Sequence, residues 1–375
     1  MLKYSVGLDI SSKDIHCCIS AIDHLQRVTI KSSRRVANSA VGFRNLEAWI
    51  EKNRRDREIP LSVCMEATGV YYENCALYLS QKGYQVSVIL PNYAKKYLQA
   101  SGQKSKTDSI DARGLAQMGA EKSLPVWGAM DRETYGLRQL TRYYEQVQED
   151  LTSLKNQLHA LQNGMYREKS VIAMIDRRIR LMEKQREEIL RKIEEHLAAN
   201  PELADMSRRM QTVKGVGLIT VATLLAETNR FRLFENQKQL VSYSGYDPVD
   251  NQSGSHVGRT RISKKGNSHI RRMMFMPSLS VVKHGVRPFK DLFDRTLERH
   301  GQKMKSYVAV QKKLLTTLYA LCKNGADFDE EHVWKGQERK GVENGKIGDK
   351  KSVPIDESAL HEVNRTGEPA PVSST

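Results

Sequence analysis

Four carboxylates, Asp9, Glu66, Asp108 and Asp111, stand where a folded chain could bring them to one point. Asp9 closes the alternating apolar run Tyr4-Ser5-Val6-Gly7-Leu8-Asp9, and Glu66 closes Leu61-Ser62-Val63-Cys64-Met65-Glu66. Asp108 and Asp111 lie three residues apart in Lys106-Thr107-Asp108-Ser109-Ile110-Asp111-Ala112, so in a helix they share a face. Thr107 is placed to cap that helix. Asp in a first helical turn is ordinary, because it complements the helix dipole. Acids that end apolar strands are not ordinary, because a polar side chain there needs a reason. Together the four predict a site for Mg²⁺ or Mn²⁺, hard cations that take oxygen ligands. Two such ions can clamp the attacking and leaving oxygens of a phosphodiester. Lys13, Lys104 and Lys106 flank the acids, as phosphate contacts or as plain surface lysines.

The charge of the chain points to the same class of partner. Its 375 residues carry 60 Lys and Arg against 44 Asp and Glu, a net charge of +16. The excess is uneven: from Ser253 to Gly325 there are 16 basic residues and 3 acidic ones. A basic stretch of that density reads as a nucleic-acid footprint. Hydrophobic residues make up 39%, enough for real cores, so a wholly disordered chain is excluded. The five cysteines, Cys17, Cys18, Cys64, Cys75 and Cys322, show neither disulfide nor metal spacing, which fits a reducing compartment. The N-terminus lacks the apolar core of a signal peptide and the longest apolar stretch is too short to span a bilayer, so a cytoplasmic protein is expected.

The acids need elements to hold them. Strand signals occur at Val6-Gly7-Leu8, Ile15 to Ile22, Val28-Thr29-Ile30, Leu61 to Met65 and Gln85 to Leu90. Helical signals occur around Val41 to Ile50 and from Val70 to Lys82. With the helix at Asp108, the order is that of a ribonuclease-H-like α/β domain over residues 1–127. Residues 130–200 differ. Leu137, Leu140, Tyr144, Val147, Leu151, Leu154, Leu158 and Leu161 recur at alternating spacings of three and four, an unbroken heptad seam. After Asn163-Gly164 a second seam runs through Ile172, Ile175, Ile179, Met182, Ile189 and Ile193, with Arg186 in one apolar slot. This is a helical arm: a dimerising coiled coil, or an antiparallel pair within one chain, with self-association favoured. Residues 205–325 form a further, mostly helical domain. From Ala326 the composition is that of a disordered tail.

Two more motifs bear on function. Thr212-Val213-Lys214-Gly215-Val216-Gly217 before an apolar helix resembles a helix-hairpin-helix turn, in which backbone N–H groups at Lys214, Gly215 and Gly217 approach a phosphate. A tight helix–helix turn needs the same glycines. Tyr243-Ser244-Gly245-Tyr246-Asp247-Pro248 and Gln252-Ser253-Gly254-Ser255 precede Arg259, Arg261, Lys264, Lys265, Arg271 and Arg272, which are candidate DNA contacts. On chemistry alone Ser253 is a turn residue, since serine is a weak nucleophile unless activated.

With these motifs in this order, the chain over residues 4–325 resembles the transposases of the insertion-sequence 110 family, its 1111 branch included. The resemblance rests on Val6-Gly7-Leu8-Asp9, Met65-Glu66-Ala67-Thr68-Gly69, Lys106 to Ala112, Lys214-Gly215-Val216-Gly217, Ser244 to Pro248 and Gln252-Ser253-Gly254. It implies a domain like the RuvC junction resolvase with an Asp-Glu-Asp-Asp metal site, mapping onto Asp9, Glu66, Asp108 and Asp111. It implies a coiled-coil linker and a C-terminal transposase domain whose serine takes part in strand exchange, mapping onto Ser253, with Ser255 two residues on. It also implies DNA recombination by dimers or tetramers, in some members guided by a structured RNA encoded in the element. Two other readings use the same residues: a junction-resolving nuclease with water as nucleophile, and a dimeric nucleic-acid-binding protein with a relict metal site.

Overall fold

The strand alternation at the N-terminus is realised in full. In the computed structural model, which describes residues 1–102, 107–249 and 261–331 and the backbone of 252–253 and 256–257, the chain divides into two units after Arg132. The first contains β1 (Lys3–Ile10), β2 (Asp14–Ile22), β3 (Val28–Ala37), α1 (Ala40–Asn53), β4 (Leu61–Glu66), α2 (Glu73–Gln81), β5 (Gln85–Ile89), α3 (Pro91–Ala100) and α4 (Asp108–Glu121). The sheet order is β3-β2-β1-β4-β5. β2 is antiparallel to β1 and β3, whereas β1, β4 and β5 run parallel. The observed order is the anticipated one with α3 added.

Alternation decides the layers. Tyr4, Val6, Leu8 and Ile10 of β1 join the apolar faces of α1 and α2, Phe43, Leu46, Trp49, Ile50, Cys75, Ala76 and Leu79, in one core. The intervening residues of β1 face α4. That face is made of small side chains, because the helix lies directly on the sheet. A Cβ on Gly7 would fall 2.1 Å from both the Ala112 carbonyl oxygen and the Ala116 nitrogen. Cys18, Ala112 and Ala116 pack together, and the Ser20 hydroxyl donates to the Ala116 carbonyl at 2.9 Å.

Two elements differ from expectation. β3 runs on to Ala37 through Lys31, Ser32, Ser33, Arg34 and Arg35. It is an edge strand and mostly exposed, so no apolar alternation marks it. α2 starts at Glu73 rather than Val70, because Gly69 takes a left-handed φ of +57° and turns the chain first.

The second unit is helical. α5 (Arg132–Gln162) and α6 (Lys169–Ala199) are followed by α7 (Pro201–Gln211), α8 (Leu218–Glu227) and α9 (Gln237–Tyr243). Short strands β6 (Pro248–Val249), β7 (Gln252–Ser253), β8 (His256–Val257) and β9 (Arg261–Ile262) pair as β6 with β9 and β7 with β8. Then come α10 (Ser268–Met273), α11 (Phe275–Lys283), α12 (Arg287–His300) and α13 (Lys303–Asn324). The two heptad helices lie antiparallel: Lys155 pairs with Glu183 at 2.8 Å, and His196 bonds the Glu133 carbonyl at 2.7 Å. Leu137, Val147, Leu151, Leu154, Ile179, Ile189 and Ile193 are buried in one core with α7 to α13. The heptad seams therefore meet partners inside their own chain, and the arm is part of the second unit. Packing also continues past Ala326. Asp327 pairs with Arg208 at 2.9 Å, and the Phe328 ring stacks on Phe289. The rest of the anticipated tail, from residue 332, lies outside the described residues. Among the described residues no helix is long and apolar enough to cross a membrane.

Candidate active site

The four acids come from three elements and line one cavity of about 720 Å³. Asp9 is the penultimate residue of β1 and Glu66 the last of β4. Because β1 and β4 are parallel, with Leu8 opposite Met65, the two acids leave neighbouring strands at the same end of the sheet. Asp108 and Asp111 occupy the first turn of α4, whose N-cap is Thr107, its hydroxyl accepting from the Ile110 amide at 3.3 Å. The bare backbone contact at Gly7 fixes how close that turn comes to Asp9.

The electrostatics follow from that convergence. Burial pushes the Asp9 carboxyl up to about 6, and Asp108, Asp111 and Glu66 push in the same direction, with His16 opposing. Among the described residues no group of three or more acids, histidines or cysteines is placed to hold a metal ion as it stands. The donor set nevertheless suits a hard divalent cation: four carboxylates face one cavity, and three of them add to the cost of ionising Asp9, which a cation between them would relieve.

His16 belongs to the site although nothing in its sequence context marked it. It stands opposite Asp9 across the β1–β2 ladder, and its Nε2 lies 3.6 Å from Asp108 Oδ2. Arg35 follows in the same row on β3 and donates to Asp14 at 2.6 Å, which holds that carboxyl below its usual range. Only strand register brings these residues to the acids. The remaining walls are Ile10, Ser11, Ser12, Thr68, Tyr71 and one stripe of α3. Lys13 is exposed beside the site, while Lys104 and Lys106 lie outside the described residues.

Ser253 is in the second unit, in β7, where it pairs with His256; Ser255 and Arg259 lie outside the described residues. The predicted nucleic-acid contacts separate into two groups. Lys214, Arg261, Lys264 and Lys265 are exposed, and among the described residues none makes an ion pair. Arg271 and Arg272 instead have partners within the fold, although the Arg272 side chain is itself half exposed. Arg271 donates to the Ser244 carbonyl at 2.9 Å and to Asn267 at 3.2 Å. Arg272 neutralises Glu145, buried to 5% exposure, at 2.6 Å and also reaches Glu149. A buried carboxylate requires partners, and the His269 ring bonds Glu145 as well.

The turn between α7 and α8 has the predicted glycines, with different reasons for each. Gly215 takes a left-handed φ of +102°, and a Cβ there would meet Ser280 Oγ at 2.8 Å, so packing against α11 requires it. Gly217 caps α8 with φ −99° and nothing within 4 Å of a Cβ. Local structure does not explain that glycine.

The comparisons of sequence with known proteins agree with one another. The model for IS110-type DEDD transposases, described as a transposase, matches residues 6–166, and the model described as "Transposase IS116/IS110/IS902 family" matches residues 207–294. The chain is 28% identical over 332 residues to the pilin gene-inverting protein of Moraxella bovis, covering 88% of this chain and 99% of that protein. It is 24% identical over 241 residues to the transposase for insertion sequence element IS1328 of Yersinia enterocolitica, covering 57% of this chain and 69% of that one. A solved structure of Thermus thermophilus RuvC with a Holliday junction substrate aligns over 32% of this chain and 93% of its own, with 14% identity and a TM-score of 0.25. Two family models in the right order, spanning both units, establish that the chain belongs to the IS110 family of transposases.

Proposed function

We propose that this transposase excises and inserts its element by metal-dependent phosphodiester exchange, with Ser253 as the nucleophile. The observation that carries the reading is the convergence of Asp9, Glu66, Asp108 and Asp111 on one cavity. Those four residues would hold Mg²⁺ or Mn²⁺, which when bound supplies charge stabilisation to the oxygens of the reacting phosphate. The Ser253 hydroxyl forms a bond to phosphorus, the bond from phosphorus to one sugar oxygen breaks, and that oxygen leaves as a hydroxyl. The DNA is then held as a seryl phosphodiester. A hydroxyl of the exchanged strand attacks the same phosphorus and releases serine.

The partners follow from charge and from the family. DNA is held by Lys214 and the backbone at Gly215 and Gly217, in the manner of a helix-hairpin-helix turn, and by Arg261, Lys264 and Lys265, with Arg259 beside them. A structured RNA from the element would be bound by the same kind of contact. Self-association to a dimer or tetramer would use the far end of the α5–α6 hairpin as a coiled-coil contact, where Met165, Tyr166, Met174 and Leu181 are exposed.

The test is a joining assay with cognate element ends, the flanking non-coding RNA and Mg²⁺, with covalent adducts trapped on a denaturing gel. Wild type joins DNA, Asp9→Ala and Ser253→Ala do not, and the adduct requires Ser253. An active Ser253→Ala that loses activity only with Ser255→Ala moves the nucleophile to Ser255. Activity surviving both serine changes, with Asp9→Ala dead, assigns water as nucleophile and makes the protein a nuclease. Activity without the RNA removes the guide.

A further inference from the structure

Across the cavity from the carboxylates, α3 presents Pro91, Asn92, Lys95, Leu98 and Gln99, residues spaced so that they form one helical stripe. The fold does not need the three polar ones. α3 docks through Ala94, which is fully buried, and through Tyr97, whose hydroxyl bonds Glu121 at 2.7 Å. Asn92, Lys95 and Gln99 are exposed, and among the described residues their side chains have no hydrogen-bond or ion-pair partner. An uncompensated lysine facing four acids across a gap, without pairing to any of them, marks a space meant for something negative.

The cavity has an aromatic wall as well. Tyr71 lines it and is 48% exposed, which leaves ring surface open to the cavity. The left-handed turn at Gly69 delivers it there, and the Asn38 side chain holds the Tyr71 carbonyl at 3.1 Å. At about 720 Å³ the cavity falls within the roughly 300–1,000 Å³ of sites that enclose a small organic group, and it is far too small for a duplex.

We propose that Tyr71 and the Asn92–Lys95–Gln99 face of α3 form the seat of a single nucleotide next to the reacting phosphate, drawn out of its stack. Its base lies on the Tyr71 ring, its phosphate against Lys95, and its polar edges against the amides of Asn92 and Gln99. Stacking on an aromatic side chain replaces what the base loses on leaving the helix. This rests on the reading of the acids as the phosphodiester site and adds how the strand is held there.

The experiment uses the full-length protein, the flanking RNA and element-end DNA carrying 2-aminopurine at successive positions, in an Asp9→Asn background that binds without cutting. One position is expected to be quenched by stacking, with the quench lost in Tyr71→Leu and kept in Tyr71→Trp. Lys95→Ala lowers the slope of log affinity against log salt by about one, and Lys95→Arg restores it. Unchanged melting temperatures show that the variants fold. If no position responds to Tyr71 and the slope ignores Lys95, while the protein with Asp9 intact still cuts in Mg²⁺, the nucleotide seat is wrong and the acid site stands. A responsive position in a protein that never cuts keeps the seat and overturns the reading of the acids.

Discussion

Asp9 is the residue in which the proposed chemistry and the protein's stability oppose each other. Its carboxyl is raised from an ordinary 3.8 to about 6, first by burial and then by Asp108, Asp111 and Glu66. A raised acid favours the folded state while protonated. Its contribution is fully present below pH 3.8 and is lost as pH rises through about 6. At neutral pH without metal, the wild type therefore carries a penalty of about 1–2 kcal/mol, allowing for partial exposure to solvent. Asp9→Asn is expected to melt higher than wild type in EDTA at pH 7.5, with the difference shrinking as pH falls from 6 towards 4. Adding Mg²⁺ should raise the melting temperature of wild type and leave the variant unmoved. A variant that melts lower than wild type at neutral pH would show that Asp9 is held by partners rather than strained by neighbours. The convergence of the acids was legible in the sequence because Asp9 and Glu66 end apolar strands and the spacing of Asp108 and Asp111 puts both on one helical face. His16 was not, because its place in the site comes from the β1–β2 register and its own neighbours in sequence are unremarkable.

At the scale of elements, α4 is the part that turns four separate acids into one site. It reaches the sheet because Gly7 on β1 and Gly119 on the helix have no side chain. Gly7→Ala inserts a methyl group against helix backbone, and overpacking of this kind costs about 1–3 kcal/mol. The functional loss should be larger than the stability loss. Moving Asp108 and Asp111 by about 1 Å is worth roughly a hundredfold in rate. Joining rates measured well below the melting transition separate the two effects, and a variant with normal rates would mean that α4 does not set the spacing. The second unit has its own fixed point. Glu227, whose side chain is 2% exposed, takes two bonds from Arg142, at 2.7 and 3.0 Å, and one from Asn267 at 2.7 Å. Burial alone would raise this carboxyl, but the Arg142 and Asn267 bonds hold it below its usual range. Arg142→Ala strands that charge, and urea unfolding should show a loss of about 3–5 kcal/mol. Replacing both partners with apolar residues should cost less than Arg142→Ala alone. The heptad seams were plain in sequence, yet their partner was not. Periodicity tells which face is apolar and says nothing about whether the facing helix belongs to the same chain.

For the whole molecule, net charge was legible as a preference for a polyanion, but the particular basic residues that could act on it were not. Composition counts Arg272 and Lys265 alike. The fold distinguishes them: Arg272 is neutralised by Glu145 and Glu149, whereas Lys265 faces solvent without a partner among the described residues. This difference is measurable, because only a charge that releases counterions from DNA contributes to salt dependence, at about 0.9 per phosphate contact in duplex. Replacing Lys214, Arg261, Lys264 and Lys265 together by alanine should reduce the slope of log affinity against log salt by roughly three to four. Arg272→Ala should instead lower stability, because it leaves the buried Glu145 to His269 alone, and change the slope less than each exposed cation does. Equal slope changes for Arg272 and for each exposed lysine would mean that the Glu145 pairing gives way when DNA binds. A slope untouched by the fourfold variant would place the DNA on some other surface. The expected contrast makes ion pairing inside the fold, rather than position in a basic stretch, the property that selects which of the chain's cations meet phosphate.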